Sequence, residues 1–131
     1  MAEEKAGNTP TLIHDHVYRI STEEEWKELQ RTGSIFGGDL DKQTGCIHLS
    51  TIEQVKAVLN NFFRGREGLY LLQIDARKLG NGLIYEAVDD VNFFPHFYGP
   101  DRSFRPLRLD VVLKAEKLSW SQGEFTCSFL I

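Results

Sequence analysis

Leu69-Tyr70-Leu71-Leu72-Gln73-Ile74 is the stretch on which the fold turns. One polar residue in six makes a near-continuous apolar run, the pattern of a central strand covered on both faces. A turn with Gly80 and Gly82 follows, and residues 83–88 then read as a further strand carrying Glu86. Upstream, residues 13–20 read as a first strand. Its alternation places His14, His16, Tyr18 and Ile20 on one face, and Ile13, Asp15, Val17 and Arg19 on the other. Ser21-Thr22-Glu23-Glu24 has the spacing of a capping box with Ser21 as the cap. The helix it opens has Trp26 and Leu29 as its apolar stripe and ends at Gly33. Ser50-Thr51-Ile52-Glu53 repeats the capping pattern before a second helix striped by Val55, Val58, Leu59 and Phe62.

The connecting segments read less regularly. Residues 35–45, with Gly37-Gly38 and the polar Asp39-Leu40-Asp41-Lys42, read as a loop, and residues 47–49 as a very short strand. Residues 89–108 hold three prolines and read as a long irregular stretch of the kind that carries function or moves. Two strands, residues 111–118 and 125–131, close the chain. One domain over residues 13–131 is expected, preceded by a polar, disordered tail over residues 1–12.

The bulk composition fits that reading. The chain has 131 residues, enough for one core, with 41% hydrophobic and 26% charged residues and a net charge of −4. A duplex nucleic-acid binder usually presents a basic face, so double-stranded nucleic acid is not the expected partner. No apolar run approaches the roughly 18 residues of a membrane span. The first ten residues lack the apolar stretch of a signal peptide, and a cytoplasmic location with Cys46 and Cys127 reduced is expected.

Three pieces place reactive side chains inside apolar runs: Cys46-Ile47-His48-Leu49-Ser50-Thr51, Tyr85-Glu86, and Phe94-Pro95-His96-Phe97-Tyr98-Gly99-Pro100. Burying a His or Glu costs free energy unless a partner compensates it. His48 and Ser50, two apart on extended chain, share a face. Beside a helix N-terminus they suit a phosphate or ribose; equally, Ser50 is a plain N-cap and His48 a satisfied core histidine. Glu86, between Ile84 and Val88 on one strand face, lines a cleft or sits at a solvated edge. In a cleft it would bond a sugar hydroxyl or support an oxocarbenium-like transition state. Residues 93–98 contain five aromatic or imidazole rings in six positions. These either clamp a nucleobase or nicotinamide ring or tuck a loop onto the core. Arg102, Arg105 and Arg108 recur every three residues and are phosphate forks or solvated surface groups; Arg19 is a further candidate. His14 and His16 share a face but lack a third ligand, so no metal site is assigned. No Gly-x-Gly-x-x-Gly, Gly-x-x-x-x-Gly-Lys or Gly-x-Ser-x-Gly pattern occurs.

Taken together, these pieces resemble DUF952, a family of small domains of unknown function. The resemblance rests on Val17-Tyr18-Arg19-Ile20, Trp26, Gly45-Cys46-Ile47-His48-Leu49-Ser50-Thr51, the Leu69 strand, Glu86, Phe94-Pro95-His96-Phe97-Tyr98-Gly99-Pro100 and Leu109-Asp110-Val111-Val112. It covers roughly residues 17–118. Residues 101–105 look like a small insertion relative to the shorter bacterial pattern, and they hold two of the three arginines.

The family's fold looks like that of the ADP-ribosyltransferases. That resemblance implies an α+β fold, a split mixed or antiparallel β-sheet with flanking helices around an NAD-binding cleft. The His-Leu-Ser triplet is similar to one in the RNA 2′-phosphotransferases of that superfamily. The resemblance further implies Glu86, His48 and His96 as catalytic residues. Tyr18, Arg19, Ser50, Thr51, Phe94 and Tyr98 are then the nucleotide-binding set, to which Arg102 and Arg105, in the insertion, are added on their phosphate-fork chemistry alone. NAD is the implied co-substrate, a small-molecule nucleotide the implied partner, and ADP-ribosyl transfer the implied reaction. The alternative on the same fold is a non-catalytic module that binds a nucleotide or a protein segment.

Overall fold

The computed structural model describes residues 14–130. The tail expected over residues 1–12 lies outside them, as do Ile13 and Ile131. The elements run β1 (His16–Thr22), α1 (Glu23–Thr32), β2 (Ser34–Ile35), α2 (Asp39–Thr44), β3 (Ile47–His48), α3 (Ile52–Phe62), β4 (Leu69–Asp75), α4 (Ala76–Leu79), β5 (Leu83–Ala87), β6 (Phe93–Phe97), β7 (Leu107–Arg108), β8 (Val112–Lys117), β9 (Ser119–Ser121) and β10 (Glu124–Thr126). The chain is thus α+β, and every strand pairing among the described residues is antiparallel.

Two three-stranded sheets carry the architecture, in the orders β1-β4-β8 and β3-β6-β5. The Leu69 run is the middle strand of the first sheet. Its alternation feeds two apolar clusters: Leu72 and Ile74 join Val17, Leu29, Ile47 and Leu107 on one face. Leu69 and Leu71 join Tyr18, Val55, Leu59 and Phe125 on the other. Both faces of β4 are therefore covered, which is why its sequence shows almost no polar alternation. The two sheets meet at one isolated bridge, where Tyr18 and Ser50 exchange backbone N–H···O bonds, both 2.8 Å. That bridge sets the segment after β3 against β1.

Five expectations are corrected. Both capping sites move one residue on. Thr22, not Ser21, caps α1, its hydroxyl accepting from Glu25 N–H at 3.1 Å. Thr51, not Ser50, caps α3, with Gln54 Oε1 accepting from Thr51 N–H at 2.9 Å. Ser21 and Ser50 are instead buried, Ser50 because its backbone is held by Tyr18. The loop expected over residues 35–45 contains helix α2, ended by Gly45 in the left-handed conformation. The irregular stretch after residue 89 contains β6, the middle strand of the second sheet. Pro95 is tolerated there because its carbonyl, which proline retains, accepts from Leu49 N–H at 3.0 Å. The last expected strand, residues 125–131, is cut to β10, which pairs with β9 as a hairpin.

Candidate functional site

The site begins with Arg19 on β1, whose side chain is only 8% exposed. All five of its N–H donors are engaged. Nε and Nη2 donate to Glu25 of α1 at 2.9 and 2.7 Å. Nη1 and Nη2 donate to Asp41 of α2 at 3.0 and 2.8 Å, and Nη1 also donates to the His48 carbonyl at 2.9 Å. Burial disfavours the guanidinium charge, but the bonds and the charges of Glu25 and Asp41 outweigh it, and Arg19 is held firmly protonated. Arg19 therefore has no free donor for a diphosphate, the role expected from the first strand.

Asp41 is the residue the sequence reading left in a loop. Its Oδ2 accepts from Gly38 N–H at 2.8 Å, which fixes the start of α2. Its Oδ1 accepts from His48 N–H at 2.8 Å and meets His48 Nδ1 at 2.8 Å. Burial raises the Asp41 carboxyl, but His48 and Arg19 more than offset it and hold it well below the usual carboxylate range. Gly37 makes the close approach possible. Its φ is +82°, and a Cβ there would stand 2.3 Å from Asp41 Oδ2.

A second cluster faces this one. His48 on β3 and His96 on β6 are register partners, and their rings meet edge to face with centroids 4.7 Å apart. His96 Nδ1 lies 2.6 Å from Glu86 Oε1, which also accepts from Tyr98 OH at 2.7 Å. Arg102 donates to Glu86 Oε2 and, at 2.9 Å, to Tyr98 OH, with its guanidinium 4.2 Å from the Tyr98 ring centroid. Against the effect of burial, the Tyr98, Arg102 and His96 contacts bring Glu86 down to about 2. Burial, the Glu86 bond and the neighbouring Cys46 thiol push the Tyr98 hydroxyl up. Arg102 and Asp101 both adopt left-handed backbone, φ +59° and +56°, unusual for residues other than glycine.

Both histidines line an open cleft of about 600 Å³, a size that suits a small organic ligand. Its walls include Leu40, Val58, Phe62, Val88 and Phe94, with Ser50, Glu25 and Asp41 among the polar groups. Of the residues read from sequence, His48, His96, Ser50, Phe94 and Arg19 border this cleft. Glu86, Tyr98 and Arg102 stand behind His96 instead. Tyr18 does not border it: its hydroxyl accepts from Gln73 Nε2 at 3.0 Å and its ring packs on Phe129. Thr51 is committed to capping α3, and the exposed Arg105 lies against Gly99. Arg108 pairs with Asp110. Asp41 and Glu25 are the functional residues that sequence reasoning missed. The only signal was an Asp three residues after Gly38, the spacing of a capping partner. Among the described residues no three His, Cys, Asp or Glu side chains converge as metal ligands, and His14 instead meets Glu53 and Tyr85. Both cysteines are unbridged, and no helix among the described residues is long and apolar enough to cross a membrane.

Residues 20–115 match the family model described as a protein of unknown function, DUF952. That span holds both histidines, Asp41, Glu86, Tyr98 and Arg102, and Arg19 immediately precedes it. Among solved structures, the chain is similar to the X-ray structure of protein CC0527 from Caulobacter crescentus. The TM-score is 0.75 at 31% identity over 85% of this chain and 93% of that one. The solution NMR structure of CC0527 gives a TM-score of 0.72 at 30% identity, over 86% and 91% of the two chains. No curated protein matches the chain in sequence.

Proposed function

The chain belongs to the DUF952 family, and from its site we propose that it binds NAD or a related ADP-ribosyl nucleotide in the cleft and acts at the ribosyl carbon. The observation that carries this reading is the cleft floor. Two carboxylate-backed histidines open there into a cleft with largely apolar walls. Glu25, Asp39 and Asp41 outnumber Arg19 and Arg66 by one among the residues lining the cleft, so the lining bears a small excess of negative charge. A fixed negative field in a cleft with largely apolar walls favours a sugar that becomes cationic as its glycosidic bond breaks. Phe94 and the neighbouring apolar walls suit the flat ring of a base or nicotinamide. The resemblance of the sequence motifs to the ADP-ribosyltransferase superfamily adds support by analogy alone.

The roles differ from those the family resemblance implies. Glu86 has its oxygens occupied by His96, Tyr98 and Arg102, so it acts through His96 and not on a ribose hydroxyl. Arg19 positions Asp41 and Glu25. Of the residues read from sequence, His48, His96 and Ser50 are the polar groups left to meet a ligand; Asp39 and Arg66 also line the cleft.

Calorimetric titration with NAD and with ADP-ribose, on wild type and His48→Ala, tests the reading. The expected result is binding of at least one ligand, weakened at least tenfold by the substitution. No binding of either would overturn it. A non-catalytic binding module is the second reading, favoured by the full occupancy of the Glu86 carboxylate; binding without release of nicotinamide or ADP-ribose would select it.

A further inference from the structure

The His48–His96 pair is not symmetric in its surroundings. Behind His48 stand Asp41, Arg19 and Glu25, two carboxylates against one guanidinium, all on side chains about a tenth exposed or less. Behind His96 stand Glu86 and Arg102, one carboxylate against one guanidinium, with Arg102 54% exposed and Tyr98 neutral between them. Each ring has its Nδ1 at a carboxylate, which orients it and fixes that nitrogen as the N–H donor. The Nε2 atoms are then the positions free of a carboxylate; His48 Nε2 has Thr44 Oγ1 nearby at 3.4 Å, and both histidines line the cleft.

Two imidazolium rings this close would repel, so the arrangement suits a division of roles between the rings. The excess negative charge lies behind His48, the side that favours a cationic ring. Resting on the ribosyl reading above, we infer that His48 is a general acid and His96 a general base for one reaction. The substrate class is a ribosyl compound whose leaving group must be protonated, such as an O-linked ADP-riboside. Nicotinamide departs from NAD as a neutral molecule and needs no proton, so an acid–base pair contributes little there. An alkoxide does need one.

The bond from the ribosyl carbon to the leaving oxygen breaks, its electron pair goes to that oxygen, and the proton on His48 Nε2 joins it to give an alcohol. Water adds to the cationic ribosyl carbon from the cleft and loses its proton to His96 Nε2, giving free ADP-ribose. Proton exchange with solvent then restores the pair. Glu86 and Arg102 are positioning residues for His96 in this scheme, and Asp41 and Arg19 for His48.

Two substrates that share the ADP-ribosyl body and differ only in leaving group test it: NAD and 1-O-methyl ADP-ribose. Wild type is expected to cleave the methyl riboside. His48→Asn, whose amide nitrogen takes the place of Nδ1 toward Asp41, is expected to lose about a hundredfold on it, the lower end of general acid catalysis. Its loss on NAD should be at least tenfold smaller. Should that variant fail to fold by thermal melt and proton NMR, the solvent deuterium isotope effect on wild-type kcat replaces it, expected to be larger for the methyl riboside than for NAD. Equal losses, equal isotope effects, or no cleavage of the methyl riboside by a protein that binds ADP-ribose would overturn the inference and leave the binding reading standing. Absence of binding of both NAD and ADP-ribose would remove both.

Discussion

The two arms that meet at the histidine pair use the same parts in opposite settings. Arg19–Asp41–His48 is built inside the domain, from β1, α2 and β3, with its arginine and carboxylates almost fully shielded. Arg102–Glu86–His96 is built at an edge, from β5, β6 and the strained turn after Gly99, with its arginine half in water. A buried pair cannot lose one member without leaving a charge uncompensated, whereas an exposed one lets water replace the missing partner. The first arm is thus part of the fold, and the second is an adjustment laid on it.

The largest effect that would break this contrast is on stability. Arg19→Met should cost about 3–5 kcal/mol in denaturant unfolding, because Asp41 and Glu25 are left buried together without a cation. Arg102→Met should leave the unfolding midpoint close to wild type. Comparable losses in the two variants would show that the arms are energetically alike.

Next is Gly37→Ala. The added methyl meets the Asp41 carboxylate, and the residue must keep a left-handed backbone. A loss of about 1–3 kcal/mol is expected, with the His48 ring resonances shifted and those of His96 less so. An unchanged melting temperature would mean that α2 can move away from Arg19 without penalty.

Acid sharpens the comparison further. Glu86 is held at about 2, below its ordinary value of 4.5, so its contacts contribute stability above that ordinary value. The contribution falls as pH drops from there toward 2. Asp41 is held down as well, and its contribution is likewise lost on the acid side. Glu86→Gln should therefore flatten the stability profile between about pH 5 and pH 2 relative to wild type, followed by circular dichroism. A profile of unchanged slope would mean that the Glu86 contacts do not distinguish folded from unfolded chain.

The smallest expected effect is that of Tyr98→Phe. It removes one of the donors to Glu86 and keeps the ring under Arg102. A stability change within about 1 kcal/mol is expected, with a measurable change in the His96 environment by NMR. A change as large as that of Arg19→Met would place Tyr98 in the buried frame.

Much of the scaffold was legible in the chain itself. Leu69-Tyr70-Leu71-Leu72-Gln73-Ile74 announced a strand covered on both sides, and β4 divides its side chains between two cores. Gly33 marked the end of α1, and the stripe of Val55 and Leu59 marked α3. Local capping chemistry is ambiguous by one residue wherever two hydroxyls are adjacent, as at Ser21-Thr22 and Ser50-Thr51, and tertiary pairing settled both. The β-strand at Phe93–Phe97 was hidden by Pro95, which is unfavourable in a strand unless its carbonyl alone is needed.

The site divides in the same way. His48, Glu86 and His96 stood out because each is a costly side chain within an apolar run, and that cost is a property of composition and order. Which of them touches the cleft, and which stands behind, depends on strand register and on partners from distant segments. Asp41 could not be found by pattern, since it reads as one polar residue among several in a short glycine-flanked stretch. It acquires its role only when β1 carries Arg19 to both its oxygens, 22 residues away in the chain, and β3 places His48 on Oδ1. Sequence determined which side chains required compensation; tertiary structure decided what compensates them, because a buried charge is stabilised by whatever the fold brings within hydrogen-bond reach.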